Sequence, residues 1–184
     1  MATTPLNILA ISGSLRQNSS NHSILQYIAG LTPAGTNFTI YEGIDALPHF
    51  NPTNDVDDAP AEVARLRKTI ADADAVIICS PEYAFGVPGS LKNALDWTVS
   101  SGSFNQKPVA IITASSSGDK AHAALLHIFT ALGAVIATGA TLLIPYIRTK
   151  VSADGQVTNE ATQQALASVL QTLLATLAQQ GGAL

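Results

Sequence analysis

Short apolar runs alternate along this chain with longer stretches in which apolar residues return every third or fourth position. The runs are Leu6–Ser12, Asn37–Tyr41, Ala75–Cys79, Pro108–Thr113 and a segment within Thr138–Ile144, with Ala134–Ile136 leading into the last. Runs of this length, bounded by polar and Gly- or Pro-containing segments, predict β-strands. Between them, Ile24, Leu25, Ile28 and Leu31 predict a helix closed by Pro33 and Gly35. A second helix opens near Ala59-Pro60, where proline suits the first turn, and sets Val63, Leu66 and Ile70 on one face. A third begins near Pro88 with Leu91, Leu95 and Val99, and a fourth carries Leu125, Ile128 and Leu132. The last, Glu160–Gln179, carries Leu166, Leu170, Leu173 and Leu177, and Gln179–Leu184 reads as a frayed tail. The Asp-, Pro- and Asn-rich stretch Gly43–Asp58 predicts an irregular surface loop.

Strands that alternate with helices from end to end imply an α/β fold, with a parallel sheet and right-handed crossovers. The run Asn37–Tyr41 alternates and reads as an edge strand, whereas Ala75–Cys79 is apolar throughout, as in a strand covered on both faces. Five strands in a chain of this length fit the flavodoxin-like order 2-1-3-4-5, with helices on both faces and one domain spanning 1–184. In that order the first and third strands flank the switch point, where ligands bind beyond the strand carboxyl ends. Three loops then converge there: those after the first, third and fourth strands.

Composition narrows the partners. Of the 184 residues, 47% are apolar and 12% charged, which leaves apolar area for an oligomer interface as well as a core. The net charge is −4 and the basic residues are scattered. The cluster Arg65, Arg67 and Lys68 predicts a solvated helix face and is too small for a nucleic-acid footprint. Cys79 is the only cysteine, so no intramolecular disulfide forms, and a reducing, cytoplasmic setting is expected. At the end of an apolar strand it reads as a small buried hydrophobe. No segment reaches the ~18 apolar residues of a membrane span, and the N-terminal stretch lacks the basic region of a signal peptide.

The candidate chemistry sits in the three loops. Gly13–Asn21 offers the hydroxyls of Ser14, Ser19 and Ser20, the Asn21 amide and one fixed charge, Arg16, ahead of a helix N-terminus. That set suits a phosphate, and equally an ordinary polar turn with serine as helix N-cap. The loop lacks both the Gly-x-Gly-x-x-Gly and the Walker patterns, so nucleoside triphosphate chemistry has no support. Pro81–Gly89 supplies Glu82, Tyr83, Ala84 and Phe85, so its rings and backbone groups suit the edge of a flat heteroaromatic. Glu82 reads as a structural cap rather than a general base, because no pKa-shifting partner accompanies it. His122 and His127 are five apart and do not share a helix face, so no metal site is expected. His22 reads as a helix-surface residue, and His49 lies where a substrate entrance would be. Lys92 and Asp96 form an i,i+4 surface pair, and Trp97 fits either the core or a subunit contact.

Together the loops resemble the NADPH-dependent FMN reductase family of chromate, quinone and azo-dye reductases. Gly13, Ser14, Leu15, Arg16, Ser19 and Asn21 match its first signature; Pro81, Glu82, Tyr83, Pro88, Gly89, Leu91, Lys92, Asn93, Ala94, Asp96 and Trp97 match its second. The resemblance covers nearly the whole chain. It implies non-covalent FMN, with Ser14, Leu15, Arg16, Ser19, Ser20 and Asn21 around the phosphate. Pro81, Glu82, Tyr83, Ala84 and Phe85 would edge the isoalloxazine, and Ser116, Ser117 and Gly118 would close the third side. It further implies NADPH or NADH as co-substrate, no catalytic side chain, and a ping-pong transfer to a quinone, azo compound, metal oxyanion or free flavin. A homodimer or homotetramer is implied, with the third helix near the interface. Two departures stand out: Ala84 replaces a frequent Asn, and Asp119-Lys120-Ala121 replaces a glycine pair. The alternatives are a flavodoxin-type electron carrier and a flavin-free regulatory protein.

Overall fold

In a computed structural model, which describes residues 5–55 and 59–181, the strands are β1 (Leu6–Ser12), β2 (Thr36–Tyr41), β3 (Ala75–Ser80), β4 (Val109–Ala114) and β5 (Thr141–Ile144). The helices are α1 (Ser20–Leu31), α2 (Ala61–Asp72), α3 (Gly89–Asp96), α4 (Asp119–Ala131) and α5 (Glu160–Gly181). Short 3-10 turns lie at Pro52–Asn54 and Ile147–Thr149. Every ladder is parallel and the order is β2-β1-β3-β4-β5. Of the predicted irregular loop, residues 56–58 lie outside the described residues, as do 182–184 of the predicted tail. No helix among the described residues is long and apolar enough to cross a membrane.

The period-2 geometry of the strands divides the core in two. Leu9, Ile11, Val76, Ile78, Val109 and Ile111 face one side, against Val63, Leu66 and Ile70 of α2, Leu91 and Leu95 of α3, and Leu125 and Phe129 of α4. Ile8, Ala10, Ile77, Cys79, Ala110 and Ile112 face the other, against Ile24, Leu25 and Ile28 of α1 and Leu166, Leu170 and Leu173 of α5. Burying each large aliphatic side chain here contributes about 1.5–3 kcal/mol. β3 and β4 are buried at every position, whereas edge strand β2 alternates. Ala134–Ile136 does lead into the last strand, through a parallel bridge from Val135 to Pro108.

Local departures from the sequence expectation have physical causes. Pro60 stands at the N-cap of α2, one place before the first turn. α3 stops at Asp96: the Trp97 N–H turns back to Asn93 and Leu95, and Thr98 bonds the Leu95 carbonyl through both N and Oγ1. Val99 therefore leaves the helical stripe and stands 62% exposed. The basic cluster on α2 divides: Lys68 pairs with Asp72 in solvent at 2.8 Å, but Arg67 turns inward. Its Nε donates to the Trp97 carbonyl (2.8 Å), and its guanidinium binds Asp55 and Ser100 Oγ. Hydrogen bonds donated by the Ser100 hydroxyl foremost, and by Arg67 next, hold the Asp55 carboxyl below its usual range. Lys92 and Asp96 do form their surface pair, at 2.6 Å.

The second signature proves to be largely an anchor. Trp97 is fully buried, donates Nε1 to the Pro48 carbonyl (2.8 Å) and meets the Phe50 ring edge-on at 5.0 Å. Asn93 accepts the Phe50 N–H (2.7 Å) and donates to the same Pro48 carbonyl (3.0 Å). These two residues, one helical turn apart, pin the middle of the β2–α2 loop. His49 stands exposed between the pinned positions.

Candidate functional site

The β1–α1 loop starts with a backbone contact that only glycine allows. The Gly13 N–H donates to the Cys79 carbonyl at 2.8 Å, and a Cβ there would lie 2.6 Å from Ser80 Oγ and 3.0 Å from Leu91. Ser12 Oγ braces Ser14, accepting from its N–H and donating to its carbonyl, both at 3.2 Å. Ser14 Oγ accepts from the Arg16 N–H at 3.3 Å. The chain then turns through Asn18 in the left-handed region (φ 54). Ser19 caps α1 by accepting the His22 N–H. Among the described residues, no acceptor meets the N–H groups of Gln17, Asn18, Ser19, Ser20 and Asn21. Five consecutive donors thus stand at a helix N-terminus with the exposed Arg16 beside them, an arrangement of positive partial charge.

One first-loop residue behaves differently from the expectation. Asn21 is 4% exposed and its amide points into the protein, donating to the Ala114 carbonyl (3.3 Å) and accepting from Cys79 Sγ (3.3 Å). Its side chain therefore laces α1 to β3 and β4, and only its N–H joins the row of free donors. Burial pushes the Cys79 thiol far above the ordinary range, which fits the inert buried residue expected.

After β3, Tyr83 and Gly86 exchange both backbone hydrogen bonds at 3.0 Å, around a two-residue tip. Both tip residues, Ala84 (φ 48) and Phe85 (φ 58), have positive φ. This is the pattern of a type I′ turn, which Asn and Gly adopt most readily. The frequent Asn at position 84 thus has a backbone reason, and alanine there holds the same turn at some strain. The turn lifts Tyr83 and Phe85 out to 56% and 78% exposure. Pro81 is buried behind them.

Glu82 ties this turn to the loop after β4. Its carboxylate accepts the N–H groups of Gly118 (3.2 Å), Lys120 (2.9 Å) and Ala121 (2.8 Å), and so caps α4, which has no side-chain cap of its own. Ser115 Oγ adds a 3.5 Å contact to the Glu82 carbonyl. Gly118, at φ 101, packs where a Cβ would fall 2.9 Å from Leu143 and 3.1 Å from Thr113. The Asp119-Lys120-Ala121 departure takes part in this cap, since the Lys120 and Ala121 N–H groups are two of the three that Glu82 receives. Ser116 and Ser117 are exposed beside it, Ser117 Oγ donating to Asp119 at 2.9 Å. Backbone bonds from Tyr146 and Ile147 to the Ser116 and Ser115 carbonyls bring a further exposed aromatic, Tyr146 (71%), to this rim.

His122 anchors the first turn of α4. Its Nδ1 lies 2.9 Å from Thr113 Oγ1, and burial pushes its pKa below the usual value. The unfolded chain therefore takes up a proton first as pH falls. The stability from the neutral ring is complete above about pH 6.5 and is lost as pH drops below that value toward the folded pKa. Thermal unfolding followed from about pH 7 down to about pH 5 should show this loss, and His122→Gln should flatten it.

Residues 6–149 match the family described as NADPH-dependent FMN reductase. The chain belongs to that family. This FMN reductase is 33% identical over 168 residues to a 2-hydroxy-1,4-benzoquinone reductase of a Burkholderia species, covering 88% of this chain and 90% of the other. An NAD(P)H-dependent FMN reductase of Pseudomonas aeruginosa is 38% identical over 113 residues, 60% of either chain. Among solved structures, FerB, a flavoenzyme NAD(P)H:(acceptor) oxidoreductase from Paracoccus denitrificans, superimposes with a TM-score of 0.82 at 30% identity, over 95% of this chain and 98% of that one. The sheet order is the flavodoxin-like one expected, and the protein is an oxidoreductase that uses FMN with NAD(P)H as co-substrate.

Proposed function

We propose that this FMN reductase holds the FMN phosphate in the cradle of Gln17–Asn21, with Arg16, Ser14, Ser19 and Ser20 around it. The flat ring lies along the Pro81–Phe85 turn, and Ser116–Gly118 form its third side. The observation that carries the reading is the run of five unengaged N–H groups beside the single first-loop cation, one strand away from a paired aromatic lip. Those donors fit a phosphate, and the exposed Tyr83 and Phe85 fit a ring.

FMN bound there supplies hydride acceptance from NAD(P)H and electron delivery to a second substrate. The protein's part is binding and orientation. The capped, cross-tied loops fix the ring's edge, and the Arg16 charge with backbone dipoles fixes its tail. We take the acceptor to be a small flat quinone, on the strength of the quinone-reductase relatives of Burkholderia and Escherichia coli. Azo compounds, metal oxyanions and free flavin are further candidates. A homodimer or homotetramer is supported by Val99, Tyr83, Phe85 and Tyr146, large apolar side chains left in solvent; sedimentation of the purified protein tests it. The lone buried thiol supports a cytoplasmic setting.

The test is reconstitution: protein offered FMN should take it up and show bound oxidised flavin in its visible spectrum. NADH or NADPH oxidation with a quinone should then follow. A protein that stays colourless refutes the reading. Arg16→Ala should weaken FMN binding tenfold or more, because a charge-assisted hydrogen bond contributes roughly 1.5–3 kcal/mol. Fluorescence titration of FMN into wild type and variant measures it.

A further inference from the structure

The ammonium of Lys120, in the first turn of α4, takes no part in the flavin site described above. Its Nζ lies 3.1 Å from Asp119 Oδ2, with the two side chains 65% and 53% exposed. Asp119 has a second partner, the Ser117 hydroxyl at 2.9 Å, which keeps its carboxylate on the third loop. Lys120 Nζ has no other acidic partner among the described residues. An ion pair so open to water holds little, and an ammonium on a flexible stem is free to change partners. The base of that stem, by contrast, is fixed. The Lys120 N–H donates to the Glu82 carboxylate at 2.9 Å, and the Ala121 N–H does so at 2.8 Å. Glu82 directly precedes Tyr83, the first ring of the exposed lip. Lys120 therefore stands where the second and third loops meet, at the border of the proposed ring site.

The charges of the neighbouring loops do not cancel it. The Glu82 carboxylate is turned to α4 and engaged by three N–H groups. Beyond the third loop, the Tyr146 and Ile147 N–H groups bind the Ser116 and Ser115 carbonyls. That junction brings in Arg148, which is exposed and has no acidic partner among the described residues. Two cations thus face one carboxylate, Asp119, that is not already spent on backbone donors. A flat acceptor with an acidic substituent answers this rim: its ring meets the exposed Tyr83 and Phe85, and its anionic oxygens meet Lys120. A neutral acceptor gains nothing from the ammonium.

We propose that Lys120 is a specificity-determining residue for the second substrate, favouring flat acceptors that carry a carboxylate, sulfonate or ionised hydroxyl over neutral ones. The assignment rests on the ring site proposed above. Lys120 belongs to the stretch Asp119–Ala121 that replaces the family's glycine pair, so the preference is this chain's own. The test offers FMN-loaded protein, with NADH or NADPH, 1,4-naphthoquinone and its 2-sulfonate. The KM for the sulfonate should rise at least fivefold between about 0.02 M and about 0.3 M salt, as screening weakens exposed charge, and the KM for the parent quinone should not follow. In Lys120→Gln, the ratio of kcat/KM for sulfonate over parent should fall about five- to tenfold, through KM rather than kcat. Lys120→Arg should restore it. Calorimetry with naphthalene-2-sulfonate, which is not reduced, should show the same loss of affinity in Lys120→Gln without turnover. An unchanged ratio in Lys120→Gln overturns the proposal, as does equal binding of naphthalene-2-sulfonate by variant and wild type. If either result comes from protein that still reduces the parent quinone, the flavin reading stands and the role of Lys120 falls. A protein that takes up no FMN overturns both.

Discussion

Trp97→Ala is expected to lower the unfolding free energy by about 3–5 kcal/mol, the usual cost of truncating a buried aromatic. Three losses combine. The ring is fully buried in the cluster that joins α2, α3 and α4 to the sheet. Its edge-on contact with Phe50 disappears, and the Pro48 carbonyl keeps only the Asn93 amide as donor. Trp97→Phe separates these losses. It keeps most of the buried area and a ring for Phe50 but removes the Nε1 donor, so about 1–2 kcal/mol is expected. Urea unfolding of the three proteins measures both. The consequence reaches beyond global stability, because Trp97 pins the middle of the β2–α2 loop. Loosening it should raise protease sensitivity within residues 43–55 before the rest of the chain.

What the sequence discloses and what it conceals follow from the range of the interactions. The strands and helix faces rest on periodicity within a few residues, so β1, β3, β4 and the buried stripes of α1, α2 and α5 are read directly. Val99 continues the Leu91, Leu95 spacing but falls past the turn in which Thr98 closes on Leu95, and periodicity alone does not register that stop. Asn21 is instructive in another way. As a polar residue in a signature loop it reads as a ligand donor, yet with Ile24, Leu25 and Ile28 it lies at i, i+3, i+4 and i+7. The inward stripe of α1 thus foretold its burial. Contacts across 36 to 49 residues, such as Glu82 to α4 and Trp97 to Pro48, have no local signature. The helix start at Asp119 gives one indirect clue. It lacks a Ser, Thr, Asn or Asp at its N-cap, so its free N–H groups must find an acceptor elsewhere.

Glu82→Ala should have the largest effect on the flavin site itself. The substitution removes three charge-assisted acceptor contacts and leaves the first turn of α4 uncapped. Roughly 2–3 kcal/mol of stability is expected to go with it, or a Tm drop of roughly 5–10 °C for a domain of this size. The greater cost falls on binding. The second loop's backbone is tied to the third almost wholly through this side chain, with one long contact from Ser115 as the remainder. Without it, the edge and the third side of the proposed ring site move independently, and binding must order them anew. FMN affinity should therefore fall at least tenfold, although the Glu82 side chain touches α4 rather than the cradle. Glu82→Gln keeps an acceptor and loses the charge, so it should recover part of both losses. That graded recovery separates a positioning role from general destabilisation: Trp97→Ala, at a greater cost in stability, should leave FMN affinity within a fewfold of wild type. Equal FMN affinity in Glu82→Ala and wild type would show instead that the two loops keep their spacing without the carboxylate.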